Sequence, residues 1–135
     1  MIVINAENLI LGRLATFVAK QALLGQEVRV INAEKAIVSG RRKSILAERK
    51  NAHDRGIPTK GPFIPRMADR YVRRTIRGML PHRQSKGADA YKRILCYVGV
   101  PEEFKDAEVT NLDYAKVEKL PTLNYIPVSE IVKQI

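Results

Sequence analysis

One cysteine, Cys96, two histidines, His53 and His82, and no tryptophan set the first limits on this 135-residue chain. A single thiol excludes an internal disulfide framework and any cysteine-rich zinc site. Two histidines and one cysteine at no standard spacing are too few ligands for a metal centre. No apolar run approaches the roughly 18 residues needed to span a bilayer. The apolar start is interrupted by Asn5, Glu7 and Asn8, and the first basic residue is Arg13, so a secretory leader is not expected. Hydrophobic residues make up 45% and charged residues 28% of the chain, the proportions of a domain that builds a real core. Length and composition together predict one cytosolic domain spanning 1–135.

Acids are the other scarcity, and their distribution is informative. The chain has 24 Lys+Arg against 14 Asp+Glu, a net charge of +10. Between Arg41 and Arg93 there are 16 basic residues and four acids, Glu48, Asp54, Asp69 and Asp89, so this segment alone carries +12. The rest of the chain is close to neutral. Arginine outnumbers lysine there by more than two to one. Arginine presents a planar fork to phosphates and base edges and stacks on bases, which favours nucleic acid over a general anionic surface. Solvated helix faces normally intersperse both signs of charge. This segment does not.

The order of elements reads as α/β. Met1–Asn5 is a short β-branched run and predicts a buried strand. Apolar residues at helical spacing predict a helix over Gly12–Leu24, with Gly25 as its stop. Glu27–Asn32 predicts a second strand, which completes a βαβ unit with parallel strands. Ala36–Val38 reads as a further short strand, and a basic helix is expected over about 41–54. The glycines and prolines of Arg55–Pro65 predict a stiff loop. Helices follow over about 66–80 and 88–95, then a strand at Cys96–Val100. An irregular tail over 101–135 closes with a short helix behind Pro127. The architecture expected is a three-layer α/β/α sandwich with a small parallel sheet and a basic helical insertion.

Three stretches carry candidate binding residues. On the predicted helix over 66–80, Arg66, Arg70, Arg73, Arg74 and Arg77 fall within an arc of roughly 100°. Ala68, Val72, Thr75, Ile76 and Met79 fall opposite them, so one face predicts burial and the other a continuous arginine stripe. Repulsion within the stripe costs a few tenths of a kcal/mol per close pair, which a polyanion would relieve. Ser39-Gly40-Arg41-Arg42-Lys43-Ser44 leads from a glycine turn into a helix and suits a phosphate, though it lacks the nucleotide P-loop spacing. The stretch Gly78–Gly87 is a helix stop followed by a basic loop with His82, Arg83 and Lys86. Lys60 and Arg93 complete the candidate set.

Catalytic readings find little support. Neither histidine sits in an obvious carboxylate–nucleophile arrangement, and Cys96, within Leu95-Cys96-Tyr97-Val98, reads as a buried thiol. The first βα turn, Asn5 to Gly12, holds one glycine where a dinucleotide site needs G-x-G-x-x-G. An RNA-modifying enzyme with a degenerate cofactor site and a DNA-compacting protein are the competing classes. The first would need a glycine-lined pocket with a ribose-binding carboxylate; the second, a helix-turn-helix or a dimer surface.

The run Ile31-Asn32-Ala33-Glu34-Lys35-Ala36-Ile37-Val38-Ser39-Gly40 is followed by Gly61-Pro62 and Pro65, by Arg74-Thr75-Ile76-Arg77-Gly78-Met79-Leu80-Pro81 and by Gly87-Ala88-Asp89-Ala90-Tyr91-Lys92-Arg93-Ile94. In order and spacing these blocks resemble ribosomal protein thirteen of the large subunit, from about Met1 to Phe104. The tail from Glu118 resembles archaeal members. The resemblance implies a Rossmann-like fold with no cofactor site and no catalysis. It also implies binding to large-subunit ribosomal RNA during early assembly, beside neighbouring large-subunit proteins, in the cytoplasm. No membrane and no small-molecule substrate are expected.

Overall fold

The computed structural model describes residues 1–135. Ten regular elements follow one another: β1 (Ile2–Asn5), α1 (Leu11–Leu23), β2 (Val28–Ile31), β3 (Ile37–Ser39), α2 (Arg42–Asp54), α3 (Ala68–Arg77), α4 (Ser85–Lys92), β4 (Ile94–Cys96), β5 (Tyr125–Pro127) and α5 (Val128–Gln134). Strands β1, β2 and β4 form a parallel sheet in that order, with Ile2 opposite Val28 and Val28 opposite Ile94. Because side chains alternate along a strand, Ile4, Val28, Val30 and Ile94 share one face, and all four are fully buried. Against them pack Leu14, Val18 and Ala22 of α1, Val72 and Ile76 of α3, and Ala90 of α4.

The α/β class matches the sequence reading; the layer on the far face is thinner than expected. Val3 and Ile31 point that way and are covered by Phe104, from a 3-10 turn at Glu102–Phe104, with Tyr97 and Val109 beside it. Val3 also pairs in parallel with Val109. Irregular backbone, rather than an α-helix, thus forms the third layer. The tail does more than cover. Leu112, Ala115, Ile126, Val128 and Ile131 all enter the main core.

Several features differ from the sequence reading. Strand β3 pairs antiparallel with β5, Val38 opposite Ile126, in a separate two-stranded sheet. Strand β4 is Ile94–Cys96 instead of Cys96–Val100, because Ile94 and Cys96 supply the apolar alternation that meets β2. Helix α4 starts at Ser85, three residues before the expected position. Gly87 is therefore a helical residue, buried against the preceding turn, where a Cβ would lie 1.9 Å from the carbonyl oxygen of Pro81. It is glycine for close approach, not for turning.

Candidate nucleic-acid interface

Helix α3 has the division that its sequence predicts. Ala68, Tyr71, Val72 and Ile76 are buried, and Val72 and Ile76 are fully so. Burial of each such aliphatic side chain contributes about 1.5–3 kcal/mol, enough to fix which face turns inward. Met79 lies past the helix end and is exposed, so the apolar stripe stops at Ile76. The helix also suits its own dipole: Asp69 stands in the first turn, Arg74 and Arg77 in the last. The Asp69 carboxylate accepts a hydrogen bond from the Arg70 backbone N–H at 2.8 Å.

The other face opens on a cleft of about 710 Å³. All five arginines of the predicted stripe line it, together with Phe63, Ile64, Pro65, Met67 and Tyr91. The five do not behave alike. Arg66 and Arg70 are exposed, and Arg74 and Arg77 half-exposed. None of these four takes part in any of the protein's ion pairs. Arg66 Nε donates to His53 Nε2 of α2 at 2.7 Å, and Arg74 Nη1 donates to the Phe63 carbonyl at 3.5 Å, which ties the loop over 55–65 back to α3. Arg73 instead turns to the protein itself. Its Nε donates to the Ile94 carbonyl at 2.8 Å and its Nη2 to the Tyr91 carbonyl at 3.2 Å, with the guanidinium 4.0 Å from the centre of the Tyr91 ring.

The remaining candidates stand outside this cleft. Arg93 is half-buried and donates to the Ala22 carbonyl at the end of α1, at 2.9 Å. Arg41 and Lys43 are exposed at the start of α2, while Arg42 pairs with Glu130 of α5. Lys60, Arg83 and Lys86 are exposed and His82 half-buried. Lys86 belongs to α4, so the basic loop after Pro81 is shorter than its sequence suggests. Charge counting missed the apolar members of the cleft: Phe63, Met67 and Tyr91. The visible signal for the first was an aromatic residue inside a Gly/Pro loop, Gly61-Pro62-Phe63.

Two ionisable groups under this surface are displaced from their ordinary range, and neither is placed for catalysis. Burial pushes the Cys96 thiol up to about 12, against the opposing pull of Arg73. Burial likewise raises the Tyr71 hydroxyl, with Arg49 opposing it from 5.5 Å over the ring. A thiol held protonated is not a nucleophile. At the carboxyl end of β1, where a dinucleotide-binding fold holds its ligand, there is a cleft of about 280 Å³ lined by Asn5, Asn8, Lys116 and two carboxylates, Glu7 and Glu118. Two carboxylates against one lysine is the wrong balance for a phosphate. No three His, Cys, Asp or Glu side chains gather as a metal would require.

Comparison with known proteins settles the family. The profile described as Ribosomal protein L13 matches residues 1–103. The chain belongs to that family. The L13 match takes in the parallel sheet, the arginine cleft and the basic segments at 39–44 and 78–87. Relatives described as large ribosomal subunit protein uL13 extend the similarity into the tail. That of Methanosarcina barkeri is 45% identical over 136 residues, covering 100% of this chain and 97% of its own. That of Methanococcoides burtonii is 40% identical, with the same coverage of both chains. That of Methanococcus maripaludis is 43% identical, covering 97% of this chain and 94% of its own. All three come from archaea, as the tail suggested. As an L13 protein the chain is a structural part of the ribosome and not an enzyme, which removes the RNA-modifying alternative.

Proposed function

We propose that this L13 protein binds large-subunit ribosomal RNA through the outer face of α3 and its flanking basic segments, and that it supports early assembly of the subunit in the cytoplasm. One observation carries this reading: Arg66, Arg70, Arg74 and Arg77 converge on one cleft with no carboxylate paired to any of them. Unpaired cations in a concave surface concentrate the positive potential that a phosphate backbone meets. Arg41, Lys43, Lys60, His82, Arg83 and Lys86 extend the phosphate-facing set. Arg73 and Arg93 hold the scaffold behind it, and Arg42 contributes mainly to the contact between α2 and α5. The exposed apolar patch of Leu23, Leu24 and Met79 suits contact with neighbouring large-subunit proteins.

The test is sedimentation of a lysate from the source cells at low salt, followed by salt washing. The protein is expected in the large-subunit fraction and in its assembly precursors. The isolated protein should bind large-subunit RNA with an affinity that falls by about 10³–10⁵ between 50 and 200 mM salt, if 6–10 cations meet phosphates. Recovery with DNA, or a flat salt dependence, would contradict the reading.

A further inference from the structure

The cleft has an apolar side that phosphate binding does not use. Phe63 is 67% exposed and Met67 52% exposed, and both line the cleft with Ile64 and Pro65. An aromatic ring is seldom left this far in water beside guanidinium groups unless something covers it. The backbone that carries Phe63 is tied to α3, and the ring lies against Gly61. The Phe63 carbonyl accepts from Arg74, and a Cβ on Gly61 would stand 3.1 Å from the ring. At Gly61 the backbone has φ +85°, so a side chain there would be strained as well as crowded. Arg70 and Arg74 line the same cleft.

We infer that this cleft seats one unpaired nucleotide of RNA, its base stacked on Phe63 and its flanking phosphates held by Arg70 and Arg74. The inference rests on the RNA-binding reading above and makes it specific. An A-form duplex exposes phosphates and 2′-hydroxyls, but no base face. An exposed ring beside unpaired arginines instead matches the pairing of stacking platform and cationic groove used for unstacked bases. The cleft volume of about 710 Å³ lies within the range of small-ligand sites and accommodates a nucleotide. Charge complementarity selects RNA over a protein partner: the rim carries four unpaired arginines, and Asp69 is the nearest acid in sequence.

The test compares two RNA hairpins of identical stem sequence, one fully paired and one with a single bulged adenosine, titrated with the purified chain at one salt concentration. The wild type is expected to prefer the bulged hairpin by about tenfold or more, the worth of one base–aromatic stack. Phe63→Ala should abolish that preference and leave affinity for the paired hairpin unchanged. Phe63→Tyr should restore it, and Phe63→Leu, apolar but without a ring, should not. Equal wild-type affinity for the two hairpins overturns the inference while leaving RNA binding intact. Full preference in Phe63→Leu also overturns it, as does a Phe63→Ala variant that still prefers the bulge; the ring would then be a protein contact. Binding to neither hairpin overturns both this inference and the RNA-binding reading.

Discussion

The arginines on and around α3 fall into two groups that do opposite things. Arg73 of α3 and Arg93 at the end of α4 aim their guanidinium groups inward, Arg73 at the carbonyls of Ile94 and Tyr91 and Arg93 at that of Ala22. On the outer face of α3, Arg66, Arg70, Arg74 and Arg77 meet no carboxylate and line an open cleft. The difference comes from neighbours that a helical wheel does not contain. Arg73 sits at the edge of the stripe nearest β4, where the Ile94 and Tyr91 carbonyls and the Tyr91 ring are within reach. Charge written in a sequence is therefore not the charge offered to a ligand. Part of it is spent on the fold.

The contrast between faces of α3 breaks most visibly at its buried side. Val72 is fully buried, so Val72→Asp forces a carboxylate to be desolvated or protonated at a cost of several kcal/mol, comparable to the stability of a small domain. The variant is expected to be unfolded by circular dichroism at room temperature. A cooperative native-like melt would mean that the faces are reversed.

A smaller effect separates the two arginine groups. Arg73→Ala removes two hydrogen bonds to carbonyls and the stack on Tyr91, which should cost about 1–3 kcal/mol. By contrast, Arg70→Ala touches nothing internal and should stay within about 0.5 kcal/mol of wild type. Urea denaturation of both variants reads the difference directly. Equal losses would show that Arg70 is also part of the scaffold.

The smallest expected effect concerns the thiol beneath Arg73. Burial pushes the Cys96 thiol from its ordinary value of 9.0 up to about 12 in the folded protein. Above about pH 9.0 the unfolded chain loses this proton and the folded one keeps it, so stability falls as pH rises. The contribution is fully present at pH 7 and declines by about 1 kcal/mol by pH 9.5. Cys96→Ala should show a shallower decline across that window in denaturation curves. An identical slope would place the thiol in contact with water.

How much of this was legible in the sequence depends on how local each signal is. Elements β1, α1, β2 and α2 stand within about two residues of their predicted bounds and α3 within three, because period-two and period-3.6 patterns are written within the segments themselves. Strand β5 was not legible: its three residues end in Pro127, and its partner β3 lies more than 80 positions earlier. Gly87 misled the start of α4, since a glycine required for contact with Pro81 looks in sequence like a glycine that turns the chain. The arginine stripe was legible as a set of angles. Its division into inward and outward members depended on distant carbonyls, and the Phe63 side of the cleft depended on how the loop folds back onto α3.

The most direct measurement of the central claim is the salt dependence of binding to large-subunit ribosomal RNA, taken for the wild type and for the Arg70→Glu/Arg74→Glu pair, with the melting temperature of each. Loss of two phosphate contacts should lower the slope of log affinity against log salt by about 2 and weaken binding, while melting stays within a few degrees of wild type. An unchanged slope accompanied by a collapsed melting temperature would contradict it, because the outward arginines would then be holding the fold and not the RNA.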